Sequence, residues 1–207
     1  MFLDAFGDAM NDSSQLILIL GGARSGKSTF AQQLAQRSER SVAFIATATA
    51  SDEDMHNRIM LHRAMRPAHW PTIEEPLELA IALRQAADVA DVILLDCITV
   101  WLSNWFFSRG DPDRIEMADM NSSYTEGALN AIAELLTTLA ALDGSKTLIA
   151  VTNEVGLGIV PAYALGRVYR DVLGCVNQRL AAAATCVYLM VAGLGVDIKR
   201  LHEEAIL

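Results

Sequence analysis

Cysteine, positive charge and long apolar runs are all scarce in this chain, and each shortage removes a class of protein. The three cysteines, Cys97, Cys175 and Cys186, stand far apart, with no CxxC or Cys/His spacing of the kind that holds zinc. They read as reduced, buried thiols. Lysine and arginine number 16 against 25 aspartates and glutamates, a formal net charge of −9. Nonspecific nucleic-acid binding rests on a basic surface, so no nucleic-acid partner is expected, although a local basic cluster remains open. The longest apolar runs are strand length and too short to span a bilayer. Residues 1–15 are acidic and lack the basic start of a signal peptide. They read as a flexible extension, and the protein as cytoplasmic. What remains is globular: 52% hydrophobic and 20% charged residues over a length of 207, enough for one domain with a sizeable core over residues 16–207.

Apolar runs alternate with helix-like segments. Strands are expected at 16–20, 42–46, 89–96, 147–152 and 187–192. Helical spacing is expected at 28–38, 52–65 (ending before Pro67), 77–87, 128–142 and 164–184. Strands this apolar, separated by helices, predict an α/β fold: a mostly parallel sheet covered on both faces. The polar stretch 111–124 reads as a mobile excursion. Trp101, Trp105, Phe106 and Phe107 read as core or subunit interface.

Between the first strand and the first helix lies Gly21-Gly22-Ala23-Arg24-Ser25-Gly26-Lys27-Ser28, which fits GxxxxGK[ST]. Glycines let the backbone wrap a phosphate, and the amides and the helix N-terminus point donors at it. Lys27 is placed to reach the β- and γ-phosphates of ATP or GTP, and the Ser28 hydroxyl to join the shell of a Mg2+ ion. The run ending at Asp96 supplies a carboxylate at a strand's C-terminal end, suited to the same Mg2+. An aspartate there also serves as a turn former or helix cap.

Arg58, His62 and Arg66 are spaced i, i+4, i+8 and share one helix face. Flanking positive charge favours the neutral imidazole, whose free nitrogen can attack phosphorus while the arginines hold displaced phosphates. The same spacing also fits an exposed polar face with an incidental histidine. Asn153 and Glu154 follow a strand at the sheet edge where open α/β sheets bind ligands, or they form a capped turn. Arg167, Arg170, Asp171, Asn177 and Gln178 form a polar set on an otherwise apolar helix.

Taken together these segments resemble one family. The carrying residues are GGARSGKS at 21–28, FIATA at 44–48, HRxxRPxxW from His62 to Trp70, and Asp96-Cys97-Ile98-Thr99 with Trp101. TNEVGxGxVP from Thr152 to Pro161 follows, and then Arg170-Asp171, Gly174 and Asn177-Gln178. The family is the bifunctional adenosylcobinamide kinase / adenosylcobinamide-phosphate guanylyltransferase of cobalamin biosynthesis. The resemblance implies a RecA-like P-loop sheet and a homotrimer. It implies phosphorylation of a corrinoid hydroxyl and then transfer of GMP from GTP to the new phosphate, through a GMP-histidine on His62. It also implies that Ala46, Thr47 and Ala48, with Arg63, Ala64, Met65 and Arg66, line the guanine nucleotide site, and that Glu74 and Asp96 are further contacts. Two other readings are carried beside it: a guanylyltransferase without the kinase, and a nucleotide-binding regulatory module without chemistry.

Overall fold

Alternation along the strands decides the layering. In the computed structural model, which describes residues 14–49, 53, 60, 63, 66–109 and 117–206, the elements run as follows. β1 (Gln15–Gly21), α1 (Lys27–Arg37), β2 (Val42–Ala46), β3 (Thr72–Glu74) and α2 (Leu79–Ala87) come first. β4 (Val92–Asp96), α3 (Ile98–Ser108), α4 (Met117–Ala141) and β5 (Thr147–Val151) follow. α5 (Ala164–Ala183), β6 (Cys186–Val191), β7 (Leu194–Asp197) and α6 (Ile198–Ile206) complete the chain. The strands form one sheet in the order β3-β2-β4-β5-β1-β6-β7, parallel except for β7, which pairs antiparallel with β6.

Successive side chains on a strand point to opposite faces. Leu16, Leu18 and Leu20 of β1, with Ile93 and Leu95 of β4 and Leu148 and Ala150 of β5, therefore enter one core with residues of α2, α3, α4 and α5. Ile17, Ile19, Val92, Leu94, Ile149 and Val151 enter a second core under α1 and Trp70. Ala31 and Ala35 keep the contact face of α1 small enough to lie close to the sheet. The helices cover both faces, as the apolar strands predict, and at the two faces of β1 and β5 little polar surface is left to match.

The amino-terminal ends of the strands are latched by side chains. Lys146 Nζ lies 3.0 Å from both Asp91 Oδ1 and the Ala90 carbonyl oxygen. Ser41 Oγ donates to Asp91 Oδ2 at 2.9 Å and accepts from the Asp91 N–H at 2.9 Å. Arg40 donates to Thr147 Oγ1 at 3.3 Å and to the Ser145 carbonyl. Three connections at the base of the sheet are thus tied together.

Several expectations change. The helix expected from residue 128 begins at Met117, so the 117–124 part of the supposed excursion is helical; residues 111–116 lie outside the described residues. Tertiary packing overrides the polar composition here. Tyr124 is buried against Trp105 and Phe106, with ring centroids 5.8 and 4.6 Å apart, and a side chain at Gly127 would strike Trp105 at 2.8 Å. The aromatic stretch forms α3, with Trp101, Leu102, Trp105 and Phe106 buried while Phe107 is exposed. β3, β7 and α6 had no counterpart in the expected elements. Of the expected helix at 52–65, Glu53, Met60 and Arg63 are helical, and the remainder, including Arg58 and His62, lies outside the described residues. All three cysteines are free, and each is half-buried as a residue.

Candidate active site

β1 ends at Gly21, and the chain turns through residues 22–25 before α1 starts at Lys27. Gly26, the residue before the helix, has φ 96° in the left-handed region, a conformation glycine adopts without a Cβ penalty. The first turn of α1 holds no acidic residue, so its positive dipole end is left for a ligand. Lys27 is nearly fully buried and folds back over the loop, Nζ to the Gly22 carbonyl oxygen at 2.6 Å. Burial pulls its ammonium below the ordinary lysine value, and Cys97 and Asp96 oppose that shift. Ser25 Oγ is buried without a partner among the described residues. A turn whose carbonyl holds a lysine and whose hydroxyl is unmatched fits a bound phosphate chain, which would take up both groups.

The turn is braced from outside. The Gly193 N–H, in the turn between β6 and β7, donates to the Ser25 carbonyl at 2.9 Å. A Cβ on Gly21 would lie 2.6 Å from the Met190 carbonyl oxygen. The edge hairpin therefore fixes the shape of the phosphate loop, a contribution that the sequence reading did not find.

Parallel register lines up the other expected residues. Ala46 stands opposite Glu74 on one side and Asp96 on the other. Arg63 Nη1 lies 3.8 Å from Glu74 Oε1, between two exposed side chains. Arg66 stacks on the Phe44 ring at 3.5 Å, a cation–π contact. Its Nε is buried with no partner among the described residues. Burial lowers the Arg66 value most; Asp96 and then Glu74 oppose the shift, and Arg63 adds to it. Arginine stays charged regardless, so Arg63 and Arg66 present cations beside Asp96 and Glu74. Glu75 faces away, its Oε1 accepting from the Leu77 and Glu78 N–H groups. Ala48 is half-buried two residues past the end of β2. Thr47 is fully buried, and its hydroxyl bonds to Cys97. His62, Ala64 and Met65 lie outside the described residues.

A Mg2+ ion fits the donors present. The Ser28 hydroxyl stands in the first turn of α1 and the Asp96 carboxylate ends β4. Among the described residues no three His, Cys, Asp or Glu side chains cluster into a metal cage. One carboxylate and one hydroxyl beside phosphates is the donor set that suits Mg2+, which keeps several waters.

Beneath the site runs a buried polar network. Thr152 Oγ1 donates to Asn177 Oδ1 at 2.9 Å, and Asn177 Nδ2 donates to the Asn153 carbonyl at 3.0 Å. The Asn153 N–H donates to Thr99 Oγ1 at 2.7 Å, and Tyr169 OH to the Thr99 carbonyl at 2.7 Å. The Glu154 N–H reaches the Gly21 carbonyl at 3.0 Å. The polar set on α5 thus divides: Asn177 is buried in this network, Gln178 is exposed, and Arg167 donates to the Pro161 and Ala162 carbonyls.

A phosphate loop at the end of an interior strand, β1, a strand-end aspartate two strands away and paired arginines beside it define a P-loop nucleotide-binding enzyme. The fold agrees. An ATPase of a type III secretion system of pathogenic bacteria superposes with a TM-score of 0.55 at 12% identity, covering 91% of this chain and 57% of that one. The chain belongs to the cobinamide kinase / cobinamide phosphate guanyltransferase family, whose model matches residues 17–198. It is 44% identical over 182 residues to the bifunctional adenosylcobalamin biosynthesis protein CobP of Pseudomonas aeruginosa, covering 88% of this chain and 96% of that protein. It is 43% identical over 188 residues to CobU of Escherichia coli, which bears the same bifunctional description, covering 89% and 99%.

Proposed function

We propose that this chain carries both activities of its family. It phosphorylates the hydroxyl of adenosylcobinamide with ATP or GTP, and then transfers GMP from GTP to adenosylcobinamide phosphate. The observation that supports this reading is that Lys27 of the 21–28 loop and Arg66 both lie in the field of Asp96 at the end of β4, with Arg63 beside Glu74.

In the kinase step the loop amides and Lys27 hold the β- and γ-phosphates. The cobinamide oxygen attacks the γ-phosphorus in line, and the bond to the β-bridging oxygen breaks. Ser28 and Asp96 would hold Mg2+, which offsets phosphate charge when bound. In the guanylyl step a neutral imidazole nitrogen of His62 attacks the α-phosphorus of GTP and pyrophosphate leaves. A cobinamide-phosphate oxygen then attacks the same phosphorus, the P–N bond breaks, and adenosylcobinamide-GDP is released. In this reading Arg63 and Arg66 offset charge on the transferred phosphates, and Ala46, Thr47, Ala48, Ala64, Met65 and Glu74 would form the nucleotide surround.

The test is incubation with GTP radiolabelled on its α-phosphate, for wild type and His62→Ala. Acid-labile, alkali-stable label on the wild type alone supports the GMP-histidine. No label on a wild type that binds GTP overturns it.

The assembly proposed is a homotrimer in the cytoplasm. It is supported by the exposed apolar side chains Leu157, Ile159, Val160 and Tyr163 and by Val191 and Leu194 on the edge hairpin, which a neighbouring subunit would cover. Light scattering on the purified protein checks it, and a monomer would end it. No helix among the described residues is long and apolar enough to cross a membrane.

A further inference from the structure

We propose that Glu154 is the general base of the kinase half-reaction and plays no part in guanylyl transfer. The inference rests on the two-step reading above and adds a residue to it.

Chemistry separates the steps. An aliphatic hydroxyl binds its proton about as tightly as water does and stays protonated far above neutrality, so its attack on phosphorus releases a proton that needs an acceptor. Guanylyl transfer needs none. A neutral imidazole attacks through a lone pair. A phosphate monoester has its second pKa at about 6 and is already a dianion near neutrality. Only one of the three displacements calls for a base.

Geometry then selects among the carboxylates at the sheet edge. Asp96 lies in the field of Lys27 and Arg66, and Glu74 faces Arg63. Asp96 is already assigned to Mg2+ and Glu74 to its pair with Arg63, so each has another task at the site. Glu154 has no cationic partner among the described residues. Among the described residues its Oε1 accepts only the Gly156 N–H, at 2.9 Å. It is the third residue after β5, which lies between β1 and β4, and its own N–H is fixed to Gly21 at the start of the phosphate loop. The side chain therefore emerges between the phosphate-binding strand and the Asp96 strand. Directly upstream, Thr152 and Asn153 are held by Asn177 and Thr99, so a loop position has the support of a buried frame. In the step proposed, the cobinamide O–H bond breaks as the O–P bond forms, the proton passes to the Glu154 carboxylate, and the nucleoside diphosphate departs with the bridging electrons.

The experiment compares wild type, Glu154→Gln and Glu154→Asp in two assays: phosphorylation of cobinamide, and turnover of pre-formed cobinamide phosphate with GTP. Glu154→Gln is expected to lower kinase kcat by about 10²–10⁴-fold with little change in KM, while guanylyl transfer stays at the wild-type rate. Glu154→Asp is expected to recover part of the kinase rate, which a purely structural role would not require. The intact second activity reports that the variant is folded. Wild-type kinase activity in Glu154→Gln, or equal loss of both activities, overturns the assignment. A wild type without kinase activity brings down the two-step reading itself, and is recognised before any variant is measured.

Discussion

Thr47 and Cys97 exchange two hydrogen bonds across the carboxyl ends of β2 and β4: the Thr47 hydroxyl donates to the Cys97 carbonyl at 2.8 Å and accepts from the Cys97 N–H at 2.9 Å. One buried hydroxyl thereby satisfies both backbone groups of the residue that follows Asp96. Asn104 adds a bond from its amide to the Thr47 carbonyl at 2.7 Å. Two loops that border the nucleotide site are held as one piece from beneath.

Thr47→Val keeps the shape and removes both bonds, leaving the Cys97 N–H unmatched in a buried place while the Cys97 carbonyl keeps the Trp101 N–H at 3.1 Å. Unfolding in urea should record a loss of about 2–3 kcal/mol, toward the upper end of the roughly 1–3 kcal/mol that one buried unmatched group costs. Thr47→Ser, which retains the hydroxyl, should lose only about 1 kcal/mol for the missing methyl. Equal losses in the two variants would mean that the methyl and not the hydroxyl matters.

Asp91 gives a pH-dependent prediction. The hydrogen bond from Lys146, and after it the one from Ser41, hold its carboxyl below the usual aspartate value. A carboxyl depressed in the folded state stabilises above the unfolded pKa of about 3.9, and that contribution is lost as pH falls through the folded value. Because the Asp91 side chain is 42% exposed, its contribution should be at most about 1 kcal/mol. Asp91→Asn should therefore be less stable than wild type at pH 7, and the gap should close in acid. A gap that is the same at both ends of the titration would rule out the ion pair as its origin.

Gly21 lies at φ 152°, and a Cβ there would meet the Met190 carbonyl oxygen at 2.6 Å and Ser25 Oγ at 2.7 Å. Gly21→Ala should cost about 2–4 kcal/mol through strain and overpacking and abolish nucleotide binding by calorimetry. Gly22 has nothing within 4 Å of such a Cβ, so Gly22→Ala should leave the unfolding midpoint where it is. Destabilisation of both would point to the glycine backbone, not the contact.

The phosphate loop, the strand ending at Asp96 and the parallel sheet were legible because each rests on local rules: a glycine pattern at fixed spacing, an uninterrupted apolar run, alternation of strand with helix. The start of α4 was not, because its polar first turns are held by Tyr124 packing against Trp105 and Phe106. α3 was missed since its aromatic residues suggested a core without announcing a period. That Glu74, and not Glu75, stands opposite Ala46 follows from the register of β2 and β3, and pairing register across distant strands has no local signature. Asn177 stood out as polar on an apolar helix, yet its tie to Thr152 and Asn153 appears only once α5 is laid across the sheet.

The bond from Gly193 to Ser25 has a thermodynamic side. Ordering a flexible backbone costs about 1–2 kcal/mol per residue. In this molecule the phosphate cradle is shaped by an edge hairpin as the sheet folds, so that entropy has already been lost before a nucleotide arrives. Affinity for triphosphate is then tied to the integrity of β6 and β7. Loosening that remote margin should raise dissociation constants while every phosphate contact stays chemically intact.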